Sequence, residues 1–152
     1  MENPSWRMII MGVAERSVTL RNQLSEIERL SHIIDEFAEQ NDLPVKAAYE
    51  LNVVMDELLT NTISYGYPDK AEHNIELEMR AAGGVVTLVL SDDAIAFNPL
   101  DRPEPDISKP AEEREIGGLG IFFVRKMMDK VEYARAGDRN VITLTKTFKP
   151  AA

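Results

Sequence analysis

The sequence contains no cysteine, which excludes a disulfide framework, a thiolate metal site and a thiol nucleophile. It has only two histidines, His32 and His73, too far apart in the chain for a ligand-like spacing, so a catalytic zinc site is not expected. Basic residues are in deficit. Seventeen Lys and Arg stand against 26 Asp and Glu, a net charge of −9, which disfavours non-specific binding to nucleic acid or to an anionic membrane surface. A nucleotide is not excluded, because it needs only local amides and a divalent cation. No stretch approaches the roughly 20 apolar residues of a membrane span. Met1-Glu2-Asn3-Pro4 lacks the basic n-region of a signal peptide, so a cytoplasmic location and no membrane partner are expected. There is also no repeat and no low-complexity segment.

What is present is ordinary for a globular chain. With 152 residues, 44% hydrophobic and 28% charged, it fits one domain spanning 1–152 around a single core. Trp6 to Val13 reads as one buried strand, with Ser17 to Leu20 as a second strand or its lead-in. Ser25 and Glu28 have the spacing of a capping box, opening a helix with Ile27, Leu30, Ile34 and Phe37 at helical spacing that ends near Asn41. Pro44 suits the first turn of a long helix that runs to about Tyr65, before Gly66-Tyr67-Pro68-Asp69. The period then changes to two. Ile75, Leu77 and Met79 alternate with charged residues, Gly83-Gly84 signals a hairpin, and Val85 to Leu90 leads into Ser91-Asp92-Asp93. Asn98 to Glu115 holds four prolines among many charges, a long loop of the kind that carries function. Gly117-Gly118-Leu119-Gly120 opens a helix to Met128, and two strands, Val131 to Ala136 and Val141 to Phe148, close the chain. The expected class is α+β, a two-layer sandwich of one mixed, mostly antiparallel sheet with helices on one face.

Three elements carry chemistry. On the long helix, Leu51, Val54, Met55, Leu58 and Thr62 form the stripe that faces the sheet. Glu57 and Asn61, one turn apart, lie beside that stripe, at the rim of the core. A carboxylate and an amide oxygen at that spacing can hold a hydrated Mg²⁺ and polarise a hydroxyl. Asp92 ends an apolar strand, where a carboxylate can accept from an exocyclic amine such as that of adenine. The glycine-rich turn frees backbone N–H groups for phosphate at a helix start. It lacks the Lys-Ser/Thr of a Walker A loop and does not follow a strand as a dinucleotide-binding loop does. Taken singly, each element has an ordinary structural explanation: a solvated helix face, a turn aspartate, a packing hinge.

Their joint order resembles the GHKL ATPase superfamily and its Bergerat ATP-binding fold. Met55-Asp-Glu-Leu-Leu-Thr-Asn61 is similar to its N box, Ser91-Asp-Asp-Ala-Ile-Ala-Phe-Asn-Pro99 to a G1 box, and the stretch from Ile116 to Asp129 to a G2 box. Within that superfamily the chain most resembles the anti-sigma-factor serine/threonine kinases, from about Val18 to Lys146.

The resemblance implies that Glu57 is the general base toward a protein serine and that Asn61 coordinates Mg²⁺, with Thr60 near the terminal phosphate of ATP. It implies that Asp92 reads the adenine amine and that Ala94 and Phe97 belong to the cofactor-binding set, Phe97 and Pro99 shaping the adenine pocket. Gly117, Gly118 and Gly120 would cradle the phosphates, with Leu119 in the same turn, and residues 100–116 would form a lid. The implied partner is a STAS-type anti-anti-sigma protein; a sigma factor as a sequestered partner and a homodimer also belong to the pattern.

Three departures bear on the adenine side: Ala94 where the G1 box carries glycine, followed by Ala96; Asn98 where Asp is common; and Arg139-Asn140 where relatives carry Gly-Thr. The departures keep a second reading open, a non-catalytic partner-binding switch that senses nucleotide or has lost it. A third is an ATPase module working beside a signalling partner. The remaining residues have plain readings. Arg125 and Lys126 are expected in solvent, Met127, Met128 and Phe122 in the core, and His32 on the surface; Tyr65 and Tyr67 either line the pocket mouth or cap the helix.

Overall fold

The computed structural model describes residues 6–9, 13–101 and 118–149. Among them six strands form one sheet in the order β1-β2-β3-β4-β6-β5. The strands are β1 (Trp6–Ile9), β2 (Val13–Arg21), β3 (Asn74–Ala82), β4 (Val85–Asp92), β5 (Lys130–Ala136) and β6 (Arg139–Thr147). Three helices, α1 (Ser25–Gln40), α2 (Val45–Tyr65) and α3 (Gly118–Met127), complete the α+β sandwich. Each neighbouring pair of strands is antiparallel, so among the described residues the sheet is wholly antiparallel rather than mixed.

Alternation along the strands explains how the sheet takes its helices. β3 buries Ile75, Leu77, Met79 and Ala81 while Asn74, Glu76, Glu78 and Arg80 stay exposed. Register aligns these inward residues into rows across the sheet. Val18, Leu77, Leu90 and Ile142 form one row, and the next toward the strand ends runs Leu20, Ile75, Asp92, Asn140. That second row begins apolar and finishes polar. Against the sheet lie Leu51, Val54, Met55, Leu58 and Leu59 of α2, all nearly inaccessible, with Leu30, Ile34 and Phe37 of α1 beside them. Each such side chain, once buried, contributes roughly 1.5–3 kcal/mol of transfer free energy. Thr62, expected in the same stripe, is only partly buried, because α2 by then has passed the end of the apolar rows.

Several local expectations change. The run from Trp6 to Val13 is not one strand: Ile9 pairs with Val13, so the chain doubles back and β2 continues through Ser17–Leu20. The capping box is not formed. Leu24 occupies the N-cap position with helical backbone angles and no side-chain cap bond. The helix is entered instead through backbone bonds from Glu26 N to Gln23 O and from Ile27 N to Leu24 O, which places Ser25 inside the first turn. Gly83 and Gly84 both take positive φ, 57° and 79°, as the tight β3–β4 turn requires. In α3 the buried residues are Ile121 and Val124, and Met128 is buried just beyond its end; Phe122 and Met127 are only partly covered, and Phe122 carries the Lys126 ammonium 5.3 Å above its ring. His32 is exposed, as expected.

Candidate functional site

The polar end of the Leu20–Asn140 row is the floor of a cavity that opens to solvent between the end of α2 and the segment after β4. Leu58, Asn61, Thr62, Tyr65 and Gly66 of α2 and its end form one wall; Asp92, Ala94, Ile95, Phe97 and Pro99, with Asn140 and Ile142, form the other. Tyr65, Ile95 and Phe97 are large apolar or aromatic side chains left more than 40% exposed at its rim, placed to flank a flat ring.

Asp92 is 2% exposed. Its Oδ1 accepts from Ala94 N and from Asn140 Nδ2, both at 3.0 Å; no described residue bonds its Oδ2. Burial pushes this carboxyl above the ordinary range, against the hydrogen bonds from Asn140 and Ala94 N that favour the charged form. A buried carboxylate with one oxygen unspent, on a cavity wall, suits an exocyclic amine. The residues therefore fit a purine base.

Ala94 faces the end of α2. A Cβ added to Gly66 would lie 2.7 Å from the Ala94 methyl, and Ile95 N bonds Gly66 O at 3.0 Å. The methyl that stands in place of a G1 glycine is thus housed by the absence of a side chain at Gly66.

Across the cavity, Asn61 Nδ2 donates to Glu57 Oε1 at 3.1 Å. The amide oxygen of Asn61 accepts from no described residue, and an unspent amide oxygen on a cavity wall fits a hydrated Mg²⁺. Glu57 itself does not line the cavity; its carboxylate lies against Gly120 in the first turn of α3, where a Cβ would be 1.9 Å from the Glu57 carboxyl carbon. Gly118, Leu119 and Gly120 begin α3, while Gly117 and most of the expected lid, residues 102–116, lie outside the described residues. Thr60 stands elsewhere: its hydroxyl donates to Asp56 Oδ1 at 3.1 Å, and it is not on the cavity wall. Pro99 opens a short 3₁₀ turn ending at Asp101, and Arg125, exposed as expected, also donates to Leu100 O and ties α3 to that turn.

Sequence reasoning gave Asn140 only as a departure, yet it is 4% exposed and bonded on every side. The alternation Asn140–Ile142–Leu144 was the available signal, since it puts Asn140 on the apolar face of β6.

A second polar group sits beside the site. His73 bridges two carboxylates, Nδ1 to Asp93 Oδ2 at 2.9 Å and Nε2 to Asp69 Oδ2 at 2.7 Å, and stacks on Tyr67 with ring centroids 4.6 Å apart. Hydrogen bonds to Asp93 and then Asp69 raise the imidazole above its ordinary value. Burial and the charges of Asp92 and Asp93 push the Tyr67 phenol up. Tyr65 lines the cavity, while Tyr67 is buried and is not part of its wall.

Comparison with known proteins gives a consistent result. The model of the histidine kinase-like ATPase domain matches residues 20–146. The serine/threonine-protein kinase BtrW of Bordetella bronchiseptica is 26% identical over 90% of this chain and 93% of its own. An anti-sigma F factor of Oceanobacillus iheyensis is 23% identical over 81% of this chain and 86% of its own, and the serine-protein kinase RsbW of Listeria monocytogenes 25% over 57% and 58%. Among the described residues no helix is long and apolar enough to cross a membrane.

Proposed function

The chain belongs to the histidine kinase-like ATPase domain family, and from that premise we propose that it is an ATP-dependent regulatory serine/threonine protein kinase. Its substrate is a serine on a STAS-type anti-anti-sigma protein, and phosphorylation switches which partner it holds, a sigma factor among them. The observation that carries this reading is the convergence of Asn61 from α2 and Asp92 from β4 on one cavity, with Glu57 one turn from Asn61. The names of the similar proteins, kinases and an anti-sigma factor, support the partner class.

In this reading Asp92 accepts from the adenine amine through its unspent oxygen, and Tyr65 and Phe97 flank the ring. The first turn of α3 turns its N–H groups toward the phosphates, with Gly118 and Gly120 permitting close approach. Bound Mg²⁺, held by the Asn61 amide oxygen, supplies charge neutralisation to the triphosphate. Glu57 takes the proton of the serine hydroxyl as that oxygen attacks the terminal phosphorus; the bond to the bridging oxygen breaks and ADP departs. For this, the carboxylate must leave Gly120 and turn toward the acceptor.

That requirement is also the one observation favouring a second reading, a non-catalytic switch: Glu57 is directed at Asn61 and Gly120, not into the cavity. Incubation with ATP, Mg²⁺ and a STAS-type protein, followed by mass spectrometry of the acceptor, separates the two. Phosphoserine that disappears with Glu57→Gln supports the kinase. Nucleotide-dependent partner binding without phosphoserine supports the switch, and phosphate released without any protein acceptor supports the ATPase module that works beside a signalling partner.

A further inference from the structure

We infer that Asn140 is the positioning residue for base recognition: it fixes the Asp92 carboxylate by one oxygen so that the other is presented to a purine amine. This rests on the reading of the cavity as an adenine-nucleotide site and deepens it. A side-chain amide offers two N–H donors and two acceptor positions on its oxygen. At Asn140 they are all taken. Nδ2 donates to Asp92 Oδ1 at 3.0 Å and Ile95 O at 2.9 Å, with Ala94 O further off at 3.4 Å. Oδ1 accepts from Tyr133 Oη at 2.6 Å, Arg135 Nη1 at 3.1 Å and Phe97 N at 3.3 Å.

Two consequences follow from that saturation. Asn140 has nothing left with which to touch a base, so any effect it has on the base passes through Asp92. The amide orientation is also fixed by its partners, since the flipped rotamer would set its oxygen against a carboxylate and two carbonyls. No other side chain of similar size serves. Aspartate lacks the donors, and threonine has one donor where two are used. Arg135 reinforces the arrangement from the edge strand, donating to Ala94 O at 2.9 Å as well as to Asn140. The loop from Asp92 to Phe97 is therefore held to β5 and β6 through one buried amide and the Arg135 guanidinium.

The test is calorimetric binding of Mg²⁺–ATP and of Mg²⁺–purine riboside triphosphate, which lacks the exocyclic amine, to the full chain. Wild type should prefer ATP by about tenfold to a hundredfold, the worth of a hydrogen bond to a charged acceptor. Asn140→Ala should bring that ratio toward one by weakening ATP alone. Asn140→Asp, nearly isosteric and so a safeguard should the alanine variant not fold, should do the same at neutral pH. It should recover part of the preference at lower pH, where a proton shared with Asp92 replaces the lost N–H. Equal weakening of both nucleotides, or a ratio unchanged in both variants, overturns the proposal. A wild type that binds both nucleotides equally removes the amine contact itself and overturns it too. A folded wild type that binds neither overturns the nucleotide reading beneath it.

Discussion

Gly120 and Glu57 share one space: a methyl built on Gly120 would lie 1.9 Å from both the carboxyl carbon and Oε1 of Glu57. The helix that would receive the phosphates and the carboxylate that would receive the proton are therefore in direct contact, with no room for a side chain between them.

Gly120→Ala should accordingly force either Glu57 or α3 to move. The obstructing atoms are the far end of a flexible side chain, so the carboxylate should swing aside and the cost should stay at the low end of overpacking, about 1 kcal/mol, readable as a lowered midpoint in urea unfolding. Adding Glu57→Ala should return most of that stability, because the obstructing carboxylate is gone. Additive losses in the double variant would contradict the shared space.

Gly66 and Ala94 make a similar pair at the base end. A Cβ at 66 would lie 2.5 Å from Thr62 O and 2.7 Å from the Ala94 methyl. Gly66→Ala should destabilise the fold by about 1–3 kcal/mol. Ala94→Gly should restore only part of it, because the Thr62 carbonyl remains in the way. Thermal unfolding of the two single variants and the double variant measures both terms.

The bridge of His73 between Asp69 and Asp93 sets a pH dependence of stability. An imidazole donates from both nitrogens only when protonated, and its folded pKa is raised above the ordinary 6.5. Its contribution is thus complete below about pH 6.5 and disappears as pH rises through the raised value. Asp69 is lowered by bonds from Ala71 N and His73, and Asp93 by His73 against the opposing effect of burial. Their contributions are present above the ordinary carboxylate value and disappear in acid. Unfolding midpoints of wild type should fall between neutral and mildly alkaline pH, while those of His73→Gln should stay nearly flat there. Parallel curves would remove His73 from the account.

At the other end of the sheet, Lys146 is largely buried, pairs with Glu50 at 3.2 Å and donates to Met127 O at 2.7 Å, the C-terminal turn of α3. Removing one partner strands the other in a partly desolvated place, at a cost of several kcal/mol for a fully buried pair. Lys146→Ala should cost about 1–3 kcal/mol, less than that limit because both side chains keep some exposure, and Lys146→Met with Glu50→Gln should cost less than Lys146→Ala. Chemical denaturation of both variants decides it.

Much of this is legible in the sequence alone. Period-two alternation marks β3, the Gly83-Gly84 hairpin signal and the apolar run after it mark β4, helical spacing marks the buried stripe of α2, and Asp92 stands out as a carboxylate that ends an apolar strand. What was not legible depends on residues distant in sequence. The idle capping box at Ser25 reflects how the chain leaves β2, with Asn22 bonded to Ala71 and His73 across the sheet end. Thr60 chose Asp56 because its position on α2 turns it away from the cavity. The His73 bridge joins residues of a loop and a strand end whose proximity no local pattern announces.

Asp92 and Asn140 are direct partners in the β4–β6 register, and neither was brought there by a loop. The site's base end is thus written as a row number in the sheet, and its tolerance to insertion is uneven. An extra residue in the turn at Gly137-Asp138 would leave Asn140 opposite Asp92 but carry Tyr133 and Arg135 out of step. An extra residue within β4 before Asp92 would swing that carboxylate to the opposite face altogether. Length changes that a surface loop absorbs without notice would here erase the floor of the cavity while leaving every helix in place.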